Sequence, residues 1–151
     1  MLELRIPPLF LAAGFAAAVV AGSVLMPWAN LPFPGHRVLA LAAMVLGPCI
    51  AALGVLQFRQ AHTTINPKRP ARARSVVNTG VYRFSRNPMY LGMALALLGL
   101  AAWRSSLPGY LAVALFVTYM TRYQIRPEEQ ALLAKFGDAF AAYQARVRRW
   151  L

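Results

Sequence analysis

Four runs of apolar residues divide the chain, and they cover residues 9–26, 38–58, 88–103 and 107–123. The first two runs have about the 20 residues that a helix needs to cross the hydrocarbon core of a bilayer. The third and fourth are shorter and are separated by a polar turn, so they predict a helical hairpin. The first run also resembles a signal peptide, with small residues near Ala21, but the later runs favour an integral membrane protein. The pattern predicts an all-α polytopic membrane protein with about four transmembrane helices.

Two polar segments accompany the apolar runs. Residues 59–87 form a long connection with seven basic side chains and no acidic one. In residues 127–147, apolar side chains recur at helical spacing, which predicts an amphipathic C-terminal helix. This stripe consists of Leu132, Phe136, Phe140, Tyr143 and Val147. We predict a single domain over residues 1–151, with the long loop and the C-terminal helix both in the cytoplasm.

The charge distribution is the basis for this orientation. The chain has 16 Lys and Arg residues against 4 Asp and Glu residues, a formal net charge of +12. Such a charge suits nucleic acid or an anionic membrane face, and the apolar runs decide for the membrane. With four spans, all basic residues except Arg37 and Arg104 lie on the side of the termini, which the positive-inside rule places in the cytoplasm. We expect an integral protein of the bacterial inner membrane that contacts membrane lipids and no nucleic acid.

The stretch over residues 75–92 joins the basic loop to the third apolar run. Pro88 suits the first position of a helix, since its missing N–H would be unpaired there. Arg86 and Asn87 precede it, and a helix N-terminus attracts anions through its free N–H groups and its dipole. Tyrosines on both sides of these residues either stack on a flat ligand ring or lie at the membrane interface. The stretch predicts a site for a charged ligand at the membrane edge.

Acidic side chains are scarce, so the adjacent pair Glu128 and Glu129 stands out. Glu128 lies on the apolar stripe of the C-terminal helix and should face the protein. One interpretation is a pair that stabilises the helix N-terminus and forms local salt bridges. The other is a carboxylate that holds a cationic ligand at the membrane edge. Spacing alone leaves both interpretations open.

Several enzyme classes are disfavoured because their motifs are missing from the sequence. It contains no glycine-rich phosphate loop, no G-x-S-x-G and no plausible Cys–His pair, which argues against a Rossmann domain and a hydrolase triad. Cys49 is the only cysteine, and His36 and His62 are isolated. We therefore expect no metal site.

Two motifs in the second half of the chain resemble a known family. The first is GVYRFSRNPMYLG, and the second, further along, is PEEQALLAKFGDAFAAYQARVRRW. Together they resemble the isoprenylcysteine carboxyl methyltransferases and the wider group of bacterial phospholipid methyltransferase-like proteins, over residues 63–150. The resemblance implies a membrane methyltransferase that uses S-adenosyl-L-methionine on its cytosolic side without a Rossmann domain. The implied cofactor contacts are Arg74, Ser75, Val76, Val77, Tyr82, Asn87, Pro88, Met89, Tyr90 and Glu128.

Three further positions are candidates for roles in such a site. Arg86, with the helix N-terminus, would bind the carboxylate of the methionine part of the cofactor. Glu128 or Glu129 would bind its ammonium group, and Glu129 is also a candidate general base for an amine acceptor. Gln124 takes the position at which eukaryotic members carry an arginine important for the substrate. Asn87 replaces a histidine that is common in the family, and it cannot titrate.

We expect methyl transfer to a lipophilic or membrane-associated acceptor at the cytoplasmic face, with a carboxylate, a thiol and an amine all open as the methylated group. A carboxylate or thiolate needs little acid–base chemistry, whereas an amine must lose a proton, for which Glu129 or Tyr82 is the candidate base. The alternative is a non-catalytic four-span membrane protein that binds anionic lipid or a partner through its basic loop. A reductase related to the sterol reductases would be longer, and it ranks last.

Overall fold

The computed structural model describes residues 6–61 and 76–151. In these two ranges the chain is helical and forms no strand, apart from an isolated bridge between Asn30 and Ser106. The helices are α1 (Pro8–Leu25), α2 (His36–Gln60), α3 (Pro88–Arg104), α4 (Leu107–Tyr119), α5 (Arg126–Phe136) and α6 (Asp138–Arg146). Short 3₁₀ turns cover Pro27–Ala29 and Gly80–Arg83. The predicted all-α class is confirmed.

Two helices have the length and composition of a membrane span. Helix α1 has 18 residues with a mean hydropathy of 2.1, and α2 has 25 residues with a mean hydropathy of 2.4. Helix α3 is apolar but has 17 residues, and α4 has 13 before the helix type changes at Met120. Of the four predicted spans, only α1 and α2 are therefore both long enough and apolar enough, among the described residues, to cross a membrane as a single helix. The predicted hairpin of α3 and α4 is present, with Ser105 in a left-handed turn (φ 50°) between them.

Helices α2 and α3 pack with their backbones in close contact. A Cβ atom added at Gly47 would lie 2.5 Å from the carbonyl oxygen of Gly92, and one added at Gly92 would collide with the carbonyl oxygen of Gly47. Small residues permit this kind of close approach between membrane helices. Further along, Gly54 lies against Pro88 and Met89. The packing therefore brings the C-terminal end of α2 beside the N-terminal end of α3.

Helices α1, α3 and α4 enclose the main apolar core. Its fully buried side chains include Val19 of α1, Ala101 of α3 and Phe116 of α4. The rings of Phe15 and Phe116 meet edge to face, with 5.6 Å between their centroids, a favoured geometry for aromatic pairs. The core thus holds α4 in place, and α4 leads directly into the polar part of the molecule.

A π-helical turn over Met120–Ile125 joins α4 to α5 without a loop. The hydroxyl of Thr121 donates a 2.7 Å hydrogen bond to the carbonyl oxygen of Val117 within this turn. Gln124 is almost completely buried, so its amide points into the protein. Single π turns within α-helices are frequent at functional sites. The predicted fourth span, over residues 107–123, thus changes its helical geometry at the point where polar side chains begin.

The predicted C-terminal helix over residues 127–147 is divided in two. Helix α5 ends at Gly137, which has a φ of 51° and a ψ of −127°, a conformation that glycine adopts far more readily than other residues. The predicted apolar stripe is nevertheless present, because Phe140, Tyr143 and Val147 form one buried cluster against which Leu132 and Phe136 pack. The prediction of one continuous helix was wrong, since the stripe continues across a break in the backbone.

Candidate active site

Glu128 lies at the centre of a polar cluster where α3, the π turn and α5 meet. Its Oε1 atom accepts a 2.7 Å hydrogen bond from the hydroxyl of Tyr90 in the first turn of α3. The same oxygen accepts a 2.7 Å hydrogen bond from Nε2 of Gln124, one turn earlier on the same chain segment. Two neutral donors therefore hold one carboxylate oxygen in place and leave the orientation of the carboxyl group well defined.

The environment of Glu128 makes it an uncommon carboxyl group. Burial raises its pKa from 4.5 to about 7, and the hydrogen bonds from Tyr90 and Gln124 oppose that rise only in part. The adjacent charge of Glu129 also raises the pKa. Within the described ranges no basic side chain forms an ion pair with Glu128. A carboxylate that is buried without a cationic partner is stabilised when a cation binds next to it.

Tyr82 supplies a buried hydroxyl group that lacks a protein partner. Its side chain is 3% exposed, and its hydroxyl forms no hydrogen bond within the described chain. Burial, followed by the effects of Tyr143 and Glu128, raises the pKa of this hydroxyl far above its usual value of 10. The group therefore stays protonated and acts as a donor. The suggested role of Tyr82 as a base for an amine acceptor is not compatible with this environment.

Gln57, near the end of α2, contributes a second unmatched atom. Its Oε1 atom is buried and has no hydrogen-bond partner in the part of the chain that the structure describes. The amide packs directly against Gly80, whose φ of 53° begins the 3₁₀ turn that carries Tyr82. Buried polar atoms without partners are uncommon in proteins, because each costs about 1–3 kcal/mol. An unmatched donor and an unmatched acceptor are what a polar ligand would satisfy.

Glu129 has a different role from its neighbour. Its Oε1 atom lies 2.9 Å from Nη2 of Arg86, and its Oε2 atom lies 2.7 Å from Nη2 of Arg149. The residue is 8% exposed, and both of its oxygens are engaged. Of the two interpretations of the acidic pair, the salt bridges thus belong to Glu129, whereas Glu128 has no cationic partner among residues 6–61 and 76–151. The structure brings the predicted residues Arg86 and Glu129 together, but they form an ion pair with each other.

Asn87 and Arg86 also hold the end of the chain. The side-chain amide of Asn87 donates a 3.0 Å hydrogen bond to the carbonyl oxygen of Arg149. The backbone N–H of Arg86 donates to the carbonyl oxygen of Arg148 at 3.0 Å, and the indole N–H of Trp150 donates to the hydroxyl of Thr121 at 3.1 Å. We call residues 148–150 the C-terminal strap. Asn87 is therefore a structural link between α3 and the strap.

The other predicted cofactor positions are apolar packing positions, or they lie outside the described ranges. Pro88 is buried as the first residue of α3, and Met89 packs beside Gly54. Val77 is buried, and Val76 packs against the Tyr143 cluster. The predicted positions Arg74 and Ser75 lie outside the described residues, as does the rest of the loop over residues 62–75.

Four residues of this region were not predicted from the sequence. Gln57, Thr121, Tyr143 and Arg149 all contact or complete the cluster. The hydroxyl of Tyr143 donates a 2.8 Å hydrogen bond to the carbonyl oxygen of Tyr82 and so fixes the 3₁₀ turn. Tyr143 was recognised only as part of an apolar stripe, and nothing in the spacing of Gln57 or Arg149 distinguishes them from surface residues.

Comparison with known proteins identifies the family. Residues 36–139 match the phospholipid methyltransferase family, and this range runs from the start of α2 to the first residues of α6. The match covers most of the chain, and the protein belongs to this family. Helices α2 to α5, with Glu128 and its partners Tyr90 and Gln124, therefore lie within the range that matches the family.

Two relatives extend this finding. The chain is 40% identical over 63 residues to an uncharacterized protein of Haemophilus influenzae, a match that covers 42% of this chain and all of that protein. It is 25% identical over 118 residues to the protein-S-isoprenylcysteine O-methyltransferase of Schizosaccharomyces pombe, a match that covers 78% of this chain. This chain spans half the length of the S. pombe protein. No solved structure matches the chain.

Proposed function

We propose that the protein is a membrane methyltransferase that uses S-adenosyl-L-methionine and acts on a lipophilic or membrane-associated acceptor. The observation that carries the proposal is the Glu128 carboxyl group, which is held by Tyr90 and Gln124 beside the unpartnered hydroxyl of Tyr82 and has no described basic partner. Membership of the phospholipid methyltransferase family supports the reaction class, and the S. pombe relative supports a lipophilic acceptor.

The residues of the cluster suit the chemical groups of adenosylmethionine. The molecule carries a cationic sulfonium and an ammonium group, and Glu128 is a buried carboxylate that has no cationic partner among the described residues. The polar atoms of adenosylmethionine would find a hydrogen-bond donor in the Tyr82 hydroxyl and an acceptor in Gln57 Oε1, both of which lack partners within the described ranges. When bound, the cofactor supplies an electrophilic methyl group. The protein's part is to bind the cofactor, orient it and exclude water.

The geometry favours an acceptor that needs no strong base. Glu129 is engaged by Arg86 and Arg149, and burial keeps the Tyr82 hydroxyl protonated by raising its pKa. Neither of the two predicted bases is therefore free to accept a proton from an amine. A carboxylate or thiolate acceptor is already nucleophilic at neutral pH or close to it, so positioning beside the methyl donor suffices.

The membrane arrangement forms part of the same proposal. We propose four membrane-embedded segments, namely α1, α2 and the two helices of the α3–α4 hairpin, in the inner membrane of a bacterium. Both termini would be cytoplasmic, because that side then carries almost all basic residues. The polar cluster at the start of α3 would lie at the cytoplasmic membrane surface, where an acceptor can approach from the bilayer.

Cofactor binding provides the direct test. We expect the full-length protein in nanodiscs to bind adenosylmethionine in calorimetry, and Glu128→Gln to weaken binding at pH 8 by roughly 10-fold or more. Asp138→Asn is the matched control, because Asp138 is exposed at the start of α6. Incubation with methyl-labelled adenosylmethionine and membrane extract, followed by mass spectrometry, would then identify the labelled product. Absence of binding by the wild-type protein would refute the proposal.

A further inference from the structure

A cavity of about 380 Å³ lies between the 3₁₀ turn Gly80–Arg83 and the end of α6. It is lined by Asn78, Thr79, Arg83, Tyr143, Arg146 and Val147. Tyr143 and Val147 are buried and form its floor, whereas the other four side chains are exposed and form its rim. The cavity adjoins the Glu128 cluster through Tyr143, but neither Tyr90 nor Gln124 lines it.

The rim of this cavity carries an excess of positive charge. The side chain of Arg83 forms no hydrogen bond or ion pair within the part of the chain that is described, and that of Arg146 donates to a carbonyl oxygen of its own helix. Of the described acids, Glu129 is engaged by other arginines. Asp138 lies at the opposite end of α6 from Arg146, roughly 12 Å away along the helix axis. None of the described residues that line the cavity carries a carboxylate.

The polar groups of the rim are suited to a phosphate group. Two guanidinium groups, the hydroxyl of Thr79 and the amide of Asn78 are all able to donate hydrogen bonds. Guanidinium groups match the geometry of phosphate oxygens and bind them with two parallel hydrogen bonds. A hydroxyl and an amide beside them can donate to the remaining oxygens, so the rim has the composition of a phosphate site.

The position of the cavity indicates the source of the phosphate. Phe84 follows Arg83 directly and is 74% exposed, and α3 begins four residues later at Pro88. An exposed aromatic side chain next to basic groups at the end of an apolar helix is typical of contact with the membrane surface. We propose that the rim of this cavity binds the phosphate group of a membrane phospholipid, with Phe84 inserted beside it.

This inference does not depend on the methyl transfer reaction. Among the described residues, neither Arg83 nor Arg146 forms a hydrogen bond or ion pair with Glu128, Tyr90 or Gln124. The double variant Arg83→Gln/Arg146→Gln should therefore bind adenosylmethionine as the wild type does, and a thermal unfolding midpoint close to that of the wild type serves as the check that it is folded. A loss of lipid binding with normal cofactor binding would separate this site from the candidate active site.

Calorimetry on the full chain in a non-ionic detergent tests the proposal. The probes are dihexanoyl-phosphatidylglycerol, dihexanoyl-phosphatidylcholine and inorganic phosphate. We expect the wild type to bind the phosphatidylglycerol, and the double variant to bind it at least roughly 10-fold more weakly. Arg148→Gln is the control for general surface charge, because its side chain is exposed two residues from Arg146 and should leave the affinity within about 2-fold.

The possible results separate the alternatives. If the double variant and Arg148→Gln lose affinity for phosphatidylglycerol equally, or if neither loses any, the proposal is overturned. If inorganic phosphate binds as tightly as the lipid, the phosphate site stands but the lipid is not its source. Binding of both short-chain lipids with the same dependence on Arg83 and Arg146 supports recognition of the phosphate itself. If the double variant does not fold, Arg83→Gln alone provides the same test, since Arg83 is exposed.

Discussion

The hydroxyl of Tyr90 donates a 2.7 Å hydrogen bond to Oε1 of Glu128, although the two residues are 38 positions apart in the chain. This contact joins the first turn of α3 to the first turn of α5. The hydrogen bond connects the two sequence motifs. It also makes the pKa of Glu128 depend on a residue of α3.

Replacing Tyr90 with Phe should weaken adenosylmethionine binding at pH 7. The hydrogen bond from Tyr90 lowers the pKa of Glu128, so its loss raises that pKa further and leaves less of the carboxylate ionised. We expect a decrease in affinity of roughly 3- to 10-fold in calorimetry, the effect of one hydrogen bond to a charged group. Tyr110→Phe, in the same hairpin, is the control and should bind normally. An unchanged affinity in Tyr90→Phe would contradict the assignment of Glu128 to the cation.

Cofactor affinity should rise with pH across neutrality. A cation binds the ionised form of Glu128, and a pKa of about 7 means that the group is about 10% ionised at pH 6 and about 90% ionised at pH 8. The affinity should therefore increase by roughly 10-fold over this range and level off above it. In Glu128→Gln this increase should disappear. The ligand's own ionisation remains in the variant, so the difference between the two profiles reports on Glu128.

Substitution of the neighbouring glutamate should affect stability instead. Glu129→Gln leaves Arg86, whose side chain is 11% exposed, without its carboxylate, and such a buried unpaired charge costs about 3–5 kcal/mol. Thermal unfolding in detergent should show a large decrease in the midpoint. Arg86→Gln/Glu129→Gln should recover part of this loss, because no unpaired charge is then buried. Glu128→Gln should unfold close to the wild-type midpoint, and a loss as large as that of Glu129→Gln would contradict the distinct roles.

Removal of the unpartnered hydroxyl should have opposite effects on stability and binding. Tyr82→Phe deletes a buried polar group that has no partner among the described residues, so the free protein should be as stable as the wild type or more stable by about 1 kcal/mol. Adenosylmethionine binding should weaken by roughly 3- to 10-fold if the hydroxyl donates to the cofactor. Thermal unfolding without ligand and calorimetry with ligand measure the two effects. A variant that binds normally would remove Tyr82 from the cofactor site.

The close packing of α2 and α3 predicts a strong effect of a single methyl group. In Gly92→Ala the new methyl group would collide with the carbonyl oxygen of Gly47, and the helices would have to move apart. We expect a loss of about 1–3 kcal/mol, as for other overpacked sites. Gly14→Ala is the matched control in α1, where a Cβ atom meets no other atom within 4 Å, and it should be neutral or slightly stabilising. The order of the two unfolding midpoints checks this prediction.

The helical elements were predictable because their signals are local. The apolar runs over residues 88–103 and 38–58 correspond closely to Pro88–Arg104 and His36–Gln60, and Pro88 does occupy the first position of its helix. The break at Gly137 was missed because the apolar stripe continues across it. The π turn at Met120 was missed because no residue type specifies such a turn.

The polar cluster was predictable only in part. The motifs indicated Tyr82, Tyr90 and Glu128, and the structure brings them near one another. The spacing of residues could not show which glutamate forms an ion pair, since that depends on where residues 148–150 lie in the folded protein. Arg149 lies 20 residues beyond Glu129, and only the tertiary structure reveals that it forms an ion pair there. Long-range pairings of this kind leave no periodic trace in the sequence.

The C-terminal strap has a consequence for the order in which the molecule is made. Translation proceeds from the N-terminus, so α1 and α2 have left the ribosome and can enter a lipid bilayer long before residues 148–150 are synthesised. Until then Glu129 lacks Arg149, and Arg86 and Asn87 lack the carbonyl oxygens that they bind. The polar cluster is therefore completed only after residues 148–150 have been synthesised, later than α1 and α2 can reach a bilayer.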